Sequence, residues 1–153
     1  REQLDRAISL SLYPDAGGSR GVGYSRANMY GRDFDPYRVD VAKDILLVAQ
    51  IEHIRAVDQL DAILSHPRLD AIMVGPYDLS GSMGLTGQFD HPDFVAVMAR
   101  INEACKCHNM PMGNHVVQPE PERLAKCIAD GYRFIAYGID AVFLLHGCAC
   151  PKR

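Results

Sequence analysis

The chain has 153 residues, 48% of them apolar and 23% charged, with a formal net charge of −3 and a pI near 6.0. These values describe an ordinary globular protein of a length that makes a single domain, residues 1–153, with a core of its own. They exclude a basic footprint for nucleic acid, and every apolar stretch falls short of a membrane-spanning helix. No signal-peptide pattern opens the chain. It starts on Arg1 rather than Met, as a fragment or a processed product would.

Residues 2–12 read as an amphipathic helix. Tyr13 to Gly31 follows as a long loop rich in Gly, Ser and Arg, and long irregular loops in compact domains tend to be functional. A short helix is predicted over Pro36 to Lys43, and strands then alternate with helices. The strand at 45–51 leads to a helix at 54–65 whose apolar face is Ile54, Val57, Leu60, Ile63 and Leu64. A strand at 69–74 is followed by a loop from Gly75 to Asp90. His91-Pro-Asp opens a helix to about His108, with Phe94, Val97, Met98, Ile101 and Cys105 on its buried stripe. A strand at 110–117 precedes a helix that starts at Pro119 or Pro121 and ends at Gly131, a C-cap candidate. The last strand is Tyr132 to Gly138, and Ala141 to His146 begins a final helix.

This alternation implies right-handed βαβ units and a parallel sheet. Four units are visible, whereas a closed (β/α)8 barrel has eight strands in about 250 residues. The choice lies between a small open α/β sheet and half of a barrel. The glycines of Gly17 to Gly23 do not follow G-x-G-x-x-G, and no G-K-[ST] occurs, so nucleotide fingerprints are absent. Of the five cysteines, Cys105 and Cys107, like Cys148 and Cys150, have a single residue between them, which is not the C-x2-C spacing of structural zinc. Reduced, non-ligating cysteines fit a reducing cytoplasm.

The most informative residues are Glu52 and Asp78, each closing an apolar run that reads as a strand buried on both faces. Carboxylates are rarely buried without a partner. One at the mouth of each of two successive parallel strands calls for a cation, and oxygen ligands suit Mg2+ or Mn2+. On spacing alone, a pair of ordinary loop carboxylates facing water fits equally well.

Several segments, taken together, resemble the HpcH/HpaI aldolase and citrate lyase family. They are Tyr13-Pro14, Gly18-Ser-Arg20-Gly21-Val-Gly23, Ser25-Arg26-Ala27, Gln50-Ile51-Glu52, Gly75-Pro76-Tyr77-Asp78-Leu79-Ser80 and Gly84-Leu-Thr-Gly87, in the family's order, with Glu52 and Asp78 at its separation of 26 residues. The resemblance runs from about Arg1 to His146 and is nearest to aldolases acting on 2-keto-3-deoxy sugar acids.

It implies an α/β fold of the parallel (β/α)8 TIM-barrel type, of which this chain holds the C-terminal half, strands five to eight. It further implies a class II aldolase, dependent on Mg2+, Mn2+ or Co2+, that cleaves a 2-keto-3-deoxy acid to pyruvate and an aldehyde through a metal-bound pyruvate enolate. By motif, Glu52 and Asp78 would hold the metal. Gln50 would touch the 2-keto acid, the backbone of Tyr77 and Asp78 would receive the pyruvate carboxylate, and Pro76 would line the pocket. Arg20 and Arg26 would belong to a loop near the site mouth. The family's general-base His and enolate-stabilising Arg lie on strands that would precede this chain. His53, next to a ligand, is expected to point away from the metal, and His115 is a candidate for facing the pocket. Half a barrel also leaves strand edges and apolar faces uncovered, so a homo-oligomer is expected. The alternative is a catalytically incomplete half-barrel acting as an oligomerising or vestigial domain.

Overall fold

The computed structural model describes residues 1–148, so Cys150 lies outside the described residues. The elements run α1 (Glu2–Ser11), α2 (Phe34–Val39), β1 (Val48–Ile51), α3 (Ile54–Val57), α4 (Leu60–Leu64), β2 (Ala71–Val74), α5 (Pro76–Ser82), α6 (Pro92–Cys107), β3 (Met112–Val116), α7 (Pro121–Ala129), β4 (Phe134–Tyr137) and α8 (Asp140–Gly147). The strands form one sheet in the order β1-β2-β3-β4, and every neighbouring pair is parallel. Parallel neighbours need a helical crossover, which is why strands and helices alternate in this sequence. In register, Gln50 lies beside Met73 and Ile51 beside Val74.

The core sits where the helices following β1 and β2 pack on the sheet. Ile51, Val57, Ile72, Val74, Leu79 and Ile101 are at most 2% exposed. The predicted stripe of α6 is present: Phe94, Ile101 and Cys105 are buried, and Val97 and Met98 pack against them. Pro92 in the first turn and the His91 Nδ1, which accepts from the Asp93 amide at 3.2 Å, start that helix. α7 ends as expected, with Gly131 at φ +90 just beyond its cap, a conformation that favours glycine.

Three expectations change. The segment 54–65 is two short helices, because the chain tightens at Asp58 and Gln59, where the Gln59 amide bonds to the Ala56 carbonyl three residues back. The expected loop after β2 contains α5, so Asp78 stands in the first turn of a helix. Finally, the strand expected at 45–51 begins only at Val48 and is not buried on both faces: β1 is an edge strand with Val48 37% exposed, and Leu46 before it is 73% exposed. The other edge, β4, exposes Phe134, and α8 beyond it exposes Phe143, Leu144 and Leu145. No helix among the described residues is long and apolar enough to cross a membrane.

The described cysteines are free; Cys105 and Cys127 are buried, and Cys107 and Cys148 exposed. Burial pushes the Cys105 thiol from 9.0 up to about 11. Alkylation at neutral pH is expected to label Cys107 and Cys148 and to spare Cys105 until the chain unfolds, which peptide mass spectrometry reads directly. Between 9.0 and about 11 the unfolded chain has lost a proton that the folded chain retains. The fold therefore loses stability as pH rises through that window, and the melting temperature should fall there.

Candidate metal and substrate site

The two strand ends that carry the acids are fastened by backbone. The Gly75 amide donates to the Ile51 carbonyl at 3.1 Å, extending the β1–β2 ladder by one bond. Beyond it Glu52 follows β1 directly, while Pro76 turns the chain after β2 into α5 and places Asp78 in the first turn. Proline at this position has its φ already set for a helix and no N–H to leave unpaired.

Gly75 also shows which way the β1 side chains lean. A Cβ there would lie 2.9 Å from Gln50 Nε2, 3.1 Å from Glu52 Cβ and 3.4 Å from Glu52 Oε2. Gln50 and Glu52, two residues apart, thus share one side and bend toward the mouth of β2. Glu52, Tyr77 and Asp78 line one cleft of about 540 Å³, together with His53, Ser82 and Thr86. A methyl group at Gly75 should therefore disturb the site. Gly75→Ala is expected to cost about 1 kcal/mol or less, because the exposed Gln50 amide can swing aside and Glu52 need give only a little, read as a slightly lower melting temperature.

Glu52 and Asp78 are both solvent-exposed. Among the described residues no group of three or more His, Cys, Asp and Glu side chains gathers in a way that would hold a metal ion. Two carboxylates on a shared open cleft, with a glycine leaving room beside one of them, fit a hard ion that keeps several waters and binds through one or two carboxylates plus substrate oxygens, as Mg2+ does. They do not make a closed structural site.

The remaining sequence candidates are placed as follows. Gln50 lines a neighbouring groove between α1 and the open edge of β1, with its amide end beside Gly75. Pro76 starts α5 without lining the cleft. Arg20 and Arg26 are not at the cleft either. The Arg20 guanidinium stacks 4.5 Å from the Tyr13 ring centroid and 5.8 Å from that of Tyr37, which keeps it in the N-terminal segment. His115 is turned toward β4, where its Nε2 meets the Gly138 carbonyl at 3.3 Å, and it lines neither cleft nor groove. His53, expected to face away, does border the cleft. Its Nδ1 accepts from the Arg55 amide at 3.2 Å and caps α3, which leaves the ring proton on Nε2. Ser82 and Thr86 were not singled out from the sequence. Thr86 lies within the Gly84-Leu-Thr-Gly87 segment but was given no role there, Ser82 carries no signal of its own, and the fold of α5 and its following loop brings both to the acids.

A parallel α/β sheet of four strands in sequential order, with acids beyond the ends of two neighbours, is the arrangement of half a (β/α)8 barrel as much as of a small open sheet. The chain belongs to the HpcH/HpaI aldolase/citrate lyase family, whose profile matches residues 1–147. It is similar to 5-keto-4-deoxy-D-glucarate aldolase of Shigella dysenteriae serotype 1 (strain Sd197), 35% identical over 92% of this chain and 54% of that protein. It is also similar to 2-keto-3-deoxy-L-rhamnonate aldolase of Salmonella schwarzengrund (strain CVM19633), 35% identical over 92% of this chain and 52% of that one. A solved HpcH/HpaI aldolase/citrate lyase family protein from Burkholderia cenocepacia J2315 superposes with a TM-score of 0.85 at 30% identity, covering 95% of this chain and 57% of that one. The chain thus spans about half the length of the relatives it matches, and its fold is a partial barrel of this family.

Proposed function

We propose that this chain carries the divalent-metal and pyruvate-binding part of a class II aldolase, an aldehyde-lyase that cleaves a 2-keto-3-deoxy acid to pyruvate and an aldehyde. The observation that supports it most is the meeting of Glu52 and Asp78 on one cleft at adjacent strand ends. The similarity to proteins named as keto-deoxy sugar acid aldolases supports the substrate class.

Glu52 and Asp78 would hold the ion, with Mg2+, Mn2+ and Co2+ as candidates. When bound, such an ion supplies Lewis acidity to the 2-keto oxygen of the substrate. The chain's own groups do the rest. Tyr77 and Asp78 offer amides from the first turn of α5, where no intrahelical partner is available, to the substrate carboxylate. Gln50, bent toward Gly75 from the neighbouring groove, would contact the substrate, and Pro76 would keep the approaching backbone rigid. His53 is not offered as the general base, since its Nδ1 lone pair is engaged by the Arg55 amide.

The test is pyruvate release from a 2-keto-3-deoxy acid before and after dialysis against a chelator, with Mn2+ then restored. Loss and recovery of turnover are expected. Full turnover in the metal-free protein would overturn the reading.

The second reading is an incomplete half-barrel that binds the ion and self-associates without catalysis. The open edges of β1 and β4 and the exposed apolar face of α8 favour it. Metal binding without pyruvate release, in a species whose solution mass exceeds that of one chain, would decide for it.

A further inference from the structure

We infer that Ser82 is the positioning residue that fixes the Glu52 carboxylate relative to that of Asp78. This inference rests on the metal reading of those two acids and adds to it a residue that touches neither ion nor substrate.

The two acids need a fixed separation to share an ion, yet the backbone ladder stops short of them. Its last bond joins Gly75 to Ile51, after which the chain that carries Glu52 runs into α3 and the chain that carries Asp78 runs into α5. Ser82 bridges that gap. Its Oγ accepts a hydrogen bond from the Ile54 amide at 2.9 Å and donates one to the Leu79 carbonyl at 2.7 Å. Ile54 is the first residue of α3 and lies two residues past Glu52, while Leu79 follows Asp78 directly. A single hydroxyl therefore ties the turn behind one acid to the helix that carries the other, across 28 residues of sequence.

The Ile54 N–H is one of the unpaired donors that every helix start presents. In α3 the His53 ring serves only the Arg55 amide, so the Ile54 amide depends on Ser82. Ser82 stands four residues after Asp78, on the same side of α5, and borders the same cleft. Losing the hydroxyl would release the Glu52-His53-Ile54 turn and leave the pairing of the two acids to a mobile link. Groups hydrogen-bonded directly to metal ligands typically affect affinity by about 10–100-fold when removed, and Ser82, acting through the Ile54 backbone, belongs at the lower end of that range.

The test is the Mn2+ dissociation constant, measured by electron paramagnetic resonance titration, for the wild-type chain, Ser82→Ala, Ser82→Thr and Asp78→Asn, with amide hydrogen exchange at Ile54 alongside. Ser82→Ala should bind Mn2+ about 10-fold more weakly and lose Ile54 protection, and Ser82→Thr, which keeps a hydroxyl, should restore both. If Ser82→Ala yields no folded protein, Ser82→Cys keeps the volume with a weaker hydrogen-bonding group and should show the same loss. Wild-type affinity in Ser82→Ala, with Asp78→Asn defective, overturns the role of Ser82 and leaves the metal reading standing. Equally weak binding by the Ala and Thr variants overturns the assignment to the hydroxyl. Wild-type affinity in Asp78→Asn removes the metal reading itself, and the role of Ser82 with it.

Discussion

Replacing Asp78 with Asn is expected to leave the chain folded and to abolish its stabilisation by Mn2+. The side chain is exposed, in the first turn of α5, and Asn keeps its shape, so no core contact is lost. What disappears is one of only two negative charges on the cleft, and Glu52 alone holds a hard divalent ion poorly. A ligand that binds only the folded chain stabilises it by about 2.7 kcal/mol at a hundredfold excess over its dissociation constant. For a chain of this length that is a rise of roughly 5–10 °C in melting temperature. The wild-type protein should show it and the Asn variant should not. An equal rise in both would mean that the ion binds elsewhere.

Leu79→Ala should have the larger effect on the fold. Leu79 is fully buried in the core cluster and is the residue by which α5 grips the sheet. Truncating it removes buried apolar surface and leaves a cavity, a change that costs about 2–5 kcal/mol in well-packed cores. On a chain of this size the melting temperature should fall by roughly 5–20 °C. The loss should also reach the cleft, because Asp78 precedes Leu79 and the Leu79 carbonyl receives the Ser82 hydroxyl. Calorimetry checks the first effect. A melting temperature within a degree of wild type would show that α5 is held by something other than this side chain.

The parallel sheet and its crossovers were legible because β2 is an unbroken apolar run and α6 carries an apolar stripe of helical period. The pair Glu52 and Asp78 was legible for a similar reason, since each acid closes such a run. α5 was not: it has seven residues and contains Gly81, too short a span for an apolar period to outweigh the turn-like Gly75-Pro76 at its start. The full burial expected of β1 also failed, because burial belongs to position in the sheet, and an edge strand has a neighbour on one side only. Arg20 and His115 show the limit of motif reasoning. Their places are set by Tyr13, Tyr37 and the Gly138 carbonyl, none of which is adjacent in sequence. The Ser82 link escaped for the same reason, since it exists only once α3 and α5 have docked.

The bond from the Gly75 amide to the Ile51 carbonyl has one more consequence. It ties the tips of the first two strands, as the Gly138 amide ties the last two by donating to the Val116 carbonyl at 2.8 Å. Insertions after β3 and β4 would then lengthen the rim on that side while the strand ends that lead to Glu52 and Asp78 keep a tie of their own.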